Sequence, residues 1–369
     1  MSKKKFLIVG GTFDRDGGKP SSLISKIHIN INNDTIDFTI YNGGSVSTLH
    51  NEIIDKVKTH DIVMWMPNVS NDEEKIRNIK EINPKTILIS SKRNDNEKYS
   101  FAELISRALA MKANLTIEFS KVEDKLFNMF VFDPLGNEFY DGTSIEDMTT
   151  ALINRALKLT EFTRKPSIPA NELLHKENPS PEEFISFARS CSDIFHNLIN
   201  PSKGTERFLG NMSFRCQNGF PSFKDESGLV YVSKRNVDKS EINHNSFVPV
   251  FLDDNNDVRY FGKNKPSVDT PVQLRLYKLF PNMRYMIHAH CYFGTNAIWT
   301  QHPVPCGAIE EVGEIVDALK NIDVSKEKFI AINLIGHGCL LMASDVSEFT
   351  KLMKNKDNCF VKRLVPENH

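Results

Sequence analysis

Strand-like and helix-like segments alternate from the start of this sequence, and that alternation narrows the fold more than any other feature. The runs KFLIVGG (5–11), TIDFTIY (35–41), DIVMWM (61–66) and KTILISS (85–91) are short and apolar. SSLISKI, VSTLHNEIIDKVKT and NDEEKIRNIKEI between them, and SFAELISRALAMKA after the fourth, carry apolar residues at helical spacing. Strands joined through helices need crossovers, which make the strands parallel and cover both faces of their sheet. The pattern predicts an α/β domain with a doubly wound parallel sheet. NLTIEFS and LFNMFVFDPLGNEFYDG extend it, the second turning at Pro134-Leu135-Gly136-Asn137, and a long helix is expected over 144–163.

Between 164 and 180, RKPSIPANELLHKENPS has Pro166, Pro169 and Pro179 and little periodicity, the signature of a linker. A new helix then starts with Ser180 as N-cap, Pro181 in the first turn and Glu183 closing a capping box. Its apolar face reads Phe184, Phe187, Ala188, Cys191, Phe195 and Leu198. The expected organisation is a first domain over 1–163, a linker over 164–179 and a second domain over 180–369.

Composition excludes several function classes. With 46 basic against 47 acidic residues, nothing global points to nucleic acid or an anionic membrane. MSKKK before FLIVGG imitates the charged start of a signal peptide, but the apolar run is too short for one, and no stretch is long enough to span a bilayer. The cysteines, at 191, 216, 291, 306, 339 and 359, form no CxxC pair. That pattern fits a reducing cytoplasm rather than a disulfide scaffold or a zinc ribbon.

The second half holds the clearest chemistry. MIHAHCYF (286–293) sets His288 and His290 two apart at the end of an apolar run; in a strand both rings face one side. LIGHGCLLMA (334–343) carries His337 between two glycines. Three imidazoles and a carboxylate make an open zinc-type site. Taken alone, the same histidines also suit a surface or a hydrogen-bonded core.

The order of the surrounding segments decides between these. GNMS (210–213), YVSKRNV (231–237), PSVD (266–269), HAH (288–290) and GHG (336–338) follow one another, with His288 19 residues after Asp269. This order resembles the class II aldolase/adducin family over nearly all of 180–355, closest in motif to its L-ribulose-5-phosphate 4-epimerase and L-fuculose-phosphate aldolase branches. The resemblance implies an α/β/α class II aldolase-like domain and a divalent metal, zinc first, on His288, His290 and His337. It places Asp269 beside the metal, as a catalytic carboxylate or a fourth ligand, and Asn211 and Ser267 at phosphate-contact positions; the family's phosphate loop is replaced by Ser233-Lys234-Arg235-Asn236, in which Asn236 suits a left-handed turn and Lys234 and Arg235 either bring positive charge to an anion or are solvated loop charges. It further implies a small phosphorylated sugar or related ketose as substrate, an enediolate stabilised by the metal, and a ring-like homo-oligomer, a tetramer in the family pattern. Departures accompany it: Val268 replaces a serine, the acid-bearing segment of the epimerases is missing, and the tail NKDNCFVKRLVPENH has no tyrosine. Glu310 and Glu311, with His302 as a further candidate, are the groups available to replace those acids. Aldolase, epimerase and dehydratase chemistry stay open, with a non-catalytic adducin-like scaffold as the rival outside enzymology.

The first domain offers a second candidate site. IVGGTFDRDGGKPSS (8–22) reads as a strand, a glycine-rich loop and a helix start, the βα arrangement of a Rossmann-like domain. Gly10 and Gly11, with Lys92 and Arg93 at the end of another strand, are its candidate cofactor contacts. The sequence fits neither GxGxxG nor the Walker loop, and a tight structural turn is the alternative.

Overall fold

The computed structural model describes residues 3–30, 35–69, 79–123, 126–170, 181–198, 208–215, 229–294, 296–352 and 358–365. The chain divides into two compact units, Met1–Glu161 with Arg363–His369, and Phe162–Lys362.

In the first unit β1 (Lys4–Asp14), β2 (Ile36–Ser45), β3 (Ile62–Trp65), β4 (Asn68–Val69), β5 (Thr86–Arg93), β6 (Leu115–Glu123), β7 (Leu126–Phe132) and β8 (Glu138–Gly142) form one sheet. The order is β2-β1-β3-β5-β6-β7-β8, with β4 beside β1. Pairing is parallel from β2 to β6, and β7 and β8 add an antiparallel hairpin at one edge. Alternation along β1 sorts the core onto two faces. Phe6 and Ile8 bury with Ile24 of helix Ser22–Asn30 and Leu152 of helix Ile145–Glu161, while Leu7 and Val9 bury with Leu49, Ile53 and Val57. Helix Phe101–Ala110 opens on a capping box between Ser100 and Glu103. The returning tail joins this unit: Leu364 bridges to Asn137, and Arg363 pairs with Glu138 at 3.1 Å and lies over the Phe130 ring.

The expected glycine-rich loop starts later than expected, after Asp14, and keeps only Gly17 and Gly18 of the four glycines in that stretch. β1 runs through Gly10 and Gly11 to Asp14, paired with Asn42, Gly44 and Ser45 around a bulge. A Cβ on Gly10 would overlap the Ile24 side chain, so this glycine serves close strand–helix approach.

The second unit holds β9 (Ile168–Pro169), β10 (Asn211–Arg215), β11 (Val230–Ser233), β12 (Phe247–Leu252), β13 (Val258–Tyr260), β14 (Tyr285–Ala289), β15 (Tyr292–Phe293), β16 (Ile298–Trp299), β17 (Phe329–Leu334), β18 (Gly338–Ala343) and β19 (Cys359–Phe360). Nine of them make a largely antiparallel sheet in the order β16-β17-β18-β14-β10-β11-β12-β13-β9. Part of the expected linker therefore has a structural role, since β9 pairs with Arg259 and Tyr260 of β13; residues 171–179 lie outside the described residues.

Both faces of this sheet are covered. Tyr285, Ile287 and Ala289 of β14 bury with Phe184, Ile185 and Ala188 of helix Glu182–Leu198. Met286 on the opposite face buries with Leu274 of helix Thr270–Leu279 and Ile315 of helix Glu311–Ala318. The expected N-cap Ser180 and the side chains of Phe195 and Leu198 lie outside the described residues. No helix among the described residues is long and apolar enough to cross a membrane.

Candidate metal centre

β14 lies between β10 and β18, and this central position assembles the site. Asn211 pairs with His288 across the β10–β14 ladder, and His288 pairs with Leu340 across β14–β18. His288 is the penultimate residue of β14 and faces the side covered by helices Thr270–Leu279 and Glu311–Ala318. His290 falls one residue beyond the strand, so the two histidines straddle its end rather than sharing its pleat. His337 is not inside a strand either; it sits in the tight turn joining β17 to β18. Gly338 makes that turn possible. Its φ is +139°, and a Cβ there would overlap the Ala289 carbonyl oxygen.

The three rings converge. Centroids are 5.0 Å apart for His288 and His290, 4.4 Å for His288 and His337, and 5.5 Å for His290 and His337. One nitrogen from each lies within 4.8 Å of the others. The far side of two rings is already committed. His288 Nδ1 donates to the Cys339 carbonyl at 3.0 Å, and His337 Nδ1 donates to Glu311 Oε1 at 2.6 Å. Both Nε2 atoms are buried without a hydrogen-bond partner. A buried lone pair without a donor is costly, whereas a buried imidazole whose Nδ1–H is held by a carbonyl or carboxylate is the arrangement that presents Nε2 to a metal.

Asp269 completes the cluster. It precedes helix Thr270–Leu279, and its two oxygens lie 3.9 Å from His288 Nε2 and His337 Nε2. Oδ2 accepts from Asn211 Nδ2 at 2.8 Å and Ser267 Oγ at 3.4 Å, and Oδ1 accepts from the Cys306 thiol at 3.2 Å. Burial would raise its pKa, but His288, His337, the Cys306 thiol and the Gly307 amide outweigh it and hold the carboxyl below its ordinary range. Burial pushes His288 down to about 4. His337 moves the other way: burial opposes its charge, yet Glu311 raises it well above the usual value. Glu311 is also raised, by burial against the pull of His337.

The phosphate-contact residues take more mixed positions. Asn211 and Ser267 both turn onto Asp269, and Gln273 donates to Asn211 from one helical turn further on. Ser233 Oγ accepts from the Met212 backbone at 3.1 Å. Lys234 and Arg235 pair by backbone with Ser246 and Lys265, and Asn236, at φ +56°, accepts from the Phe208 amide. Glu310 stands apart from Glu311: its carboxylate accepts from the Thr163 amide at 2.9 Å, and the exposed His302 pairs with Glu314.

In the first unit, β3 separates β1, with Gly10 and Gly11, from β5, with Lys92 and Arg93. The Lys92 ammonium lies 4.2 Å from the Tyr99 ring centroid, and Arg93 pairs with Asp95.

Sequence reasoning missed Cys306, Gln273 and Lys239. Gln273 follows Asp269 by four residues on a helix, a readable signal. Lys239 is 4% exposed, and burial lowers its pKa to about 7; its charge contributes to the depression of His288.

Comparison with known proteins agrees with the motif order. Residues 196–360 match the family described as Class II Aldolase and Adducin N-terminal domain. His288, His290 and His337 lie within the matched residues, and the matched family is the one that the sequence resembles. Over 111 residues the chain is 35% identical to a probable L-ribulose-5-phosphate 4-epimerase from Mycoplasma pneumoniae, a match covering 30% of this chain and 42% of that protein. The chain thus spans less than half the length of this curated relative. Among solved structures, an L-fuculose 1-phosphate aldolase aligns at 17% identity over 46% of this chain and 81% of its own, with a TM-score of 0.31. A DNA/pantothenate metabolism flavoprotein from Streptococcus pneumoniae aligns at 11% identity over 42% of this chain and 99% of its own, also with a TM-score of 0.31.

Proposed function

We propose that the second unit is a metal-dependent carbon–carbon lyase of the aldolase type acting on a small sugar phosphate or related ketose. The observation that carries this reading is the pair of buried Nε2 atoms on His288 and His337, without partners and converging with His290. These three histidines would hold the divalent ion, zinc first, and such an ion supplies Lewis-acid stabilisation of the negative charge that develops on substrate oxygen as the bond breaks. The Cys339 carbonyl and Glu311 fix the tautomer of two rings, so that each Nε2 keeps its lone pair. Asp269, held as a carboxylate, accepts a proton from a substrate hydroxyl. Asn211 and Ser267 orient it.

Epimerase and dehydratase chemistry use the same groups and differ in the fate of the fragment, and an adducin-like scaffold is the non-catalytic alternative. A homo-oligomer and a Rossmann-like assisting role for the first unit belong to this reading as expectations. The test is metal content of protein purified without added metal or a histidine tag, beside the His288→Ala/His290→Ala variant, followed by a screen of sugar phosphates for cleavage. About one ion per chain, lost in the variant, supports the lyase. Protein that stays metal-free after incubation with zinc, manganese or cobalt favours the scaffold.

A further inference from the structure

Three buried polar side chains meet the turn that carries His337 and the strand beside it, and the proposed chemistry assigns them nothing. Tyr292 and Asn333 are fully buried and Thr300 nearly so. Between Leu334 and Gly338 the turn has three backbone amides to satisfy. Ile335 donates to Thr300 Oγ1 at 3.0 Å, Gly336 donates to the Tyr292 hydroxyl at 3.1 Å, and His337 donates to the Leu334 carbonyl at 3.0 Å. Two of these three acceptors are side-chain hydroxyls supplied by the segment that follows the HAH motif.

The hydroxyls connect the two pieces of chain that supply the histidines. Tyr292 follows His290 by two residues, and Gly336 immediately precedes His337. Asn333 closes the joint. Its side-chain amide accepts from the Phe293 N–H and donates to the Phe293 carbonyl, both at 2.8 Å, and so takes the place of a strand partner for the residue after Tyr292. On the other flank His288 Nδ1 is tied to the Cys339 carbonyl. Packing alone does not ask for these hydroxyls. Phenylalanine and valine would fill the same volumes, so what the oxygens add is an acceptor for each amide of the turn. A metal site does ask for them, because its ligand atoms have to be held within about 0.5 Å of one geometry.

We propose that Tyr292 and Thr300 are positioning residues of the metal centre: through the Gly336 and Ile335 amides they hold the His337 turn against the strand end that carries His288 and His290, so that the three rings converge before an ion binds. Asn333 fixes the segment from which Tyr292 reaches the turn. Without either hydroxyl, binding must also order the turn, and that cost falls on metal affinity. This inference rests on the metal reading above.

The experiment is cobalt(II) titration of the metal-free whole chain in competition with a chelator, with the visible ligand-field spectrum of the bound ion recorded alongside. It compares wild type with Tyr292→Phe, Thr300→Val, Thr300→Ser and Tyr277→Phe. Tyr292→Phe and Thr300→Val are expected to weaken affinity about 10–100-fold and to shift the spectrum, and Thr300→Ser, which keeps the acceptor, to restore both. Tyr277→Phe is the control. It removes another buried hydroxyl of the second unit, one whose partners are Ser213 at 3.1 Å and the Arg284 carbonyl at 3.4 Å, and should leave affinity and spectrum as in wild type. Wild-type affinity and spectrum in Tyr292→Phe overturn the inference and leave the metal reading intact. A loss in Tyr277→Phe as large as that in Tyr292→Phe also overturns it, because the effect is then general destabilisation. Where Tyr292→Phe fails to fold, the Thr300 pair decides, and equal affinity in Thr300→Val and Thr300→Ser overturns the inference. Failure of wild type to bind cobalt overturns both readings.

Discussion

Replacing Lys239 with methionine tests whether the buried ammonium that acts on His288 is as costly as its surroundings imply. Lys239 is 4% exposed, and among the described residues its side chain has no hydrogen bond or ion pair; Asp238 helps it only through longer-range attraction, while its own carboxylate takes bonds from Ser240. Burial moves its pKa from 10.5 to about 7. At about 1.4 kcal/mol per pKa unit, that displacement corresponds to at most about 5 kcal/mol between the charged and neutral forms. The sign follows from proton counting. Between pH 7 and the unfolded value, the unfolded chain binds a proton that the folded chain does not, so this residue makes stability rise with pH across that window. Below pH 7 both states are protonated and the full penalty persists. Lys239→Met, similar in length and without charge, removes it. The variant should exceed wild type by a few kcal/mol near pH 6 and converge with it near pH 10. Urea denaturation followed by fluorescence of Trp299, the tryptophan of the second unit, measures the difference at each pH. Wild type and variant running parallel from about pH 6 to about pH 10 would refute the reasoning, because an ordinary lysine gives no differential slope in that range.

Three further outcomes are expected. Glu311→Ala should weaken metal affinity about 10–100-fold in chelator competition, with Glu311→Gln closer to wild type because its amide oxygen still accepts from His337 Nδ1. Gly338→Ala should cost about 2–4 kcal/mol in thermal denaturation, since φ is +139° and the added methyl meets the Ala289 carbonyl; unchanged stability would mean that the β14–β18 contact yields easily. Ser100→Ala should cost about 1 kcal/mol in the transition of the first unit, through loss of the capping box.

How much could be read beforehand varied with the kind of information each element needs. The strands of the first unit were legible because runs such as Phe6 to Val9 and Ile62 to Trp65 are apolar on both faces, as a doubly covered sheet requires. Gly10-Gly11 looked like a breaker because local sequence does not show that the Asn42–Ser45 strand continues alongside it. The three histidines and Asp269 were legible through their order along the chain. Which of two adjacent glutamates reaches His337 was not. Successive residues on a helix point about 100° apart, so the phase of helix Glu311–Ala318 decides, and it turns Glu310 toward Thr163. Cys306 and Lys239 gave no local signal, because their relevance comes from segments that meet only in the folded sheet.

The returning segment Arg363–Val365 has a consequence for synthesis. A ribosome delivers the strands and helices of the first unit before any of the second, and domains generally fold in that order as they emerge. Yet the outer hairpin of the first unit receives the Leu364 bridge to Asn137 and the Arg363 cation over Phe130 only after the whole of Phe162–Lys362 has been made. Until then the β8 edge carries an open backbone position where Leu364 will bind. A nascent chain stalled within the second unit should therefore expose this hairpin to chaperones and proteases even when the rest of its sheet is complete.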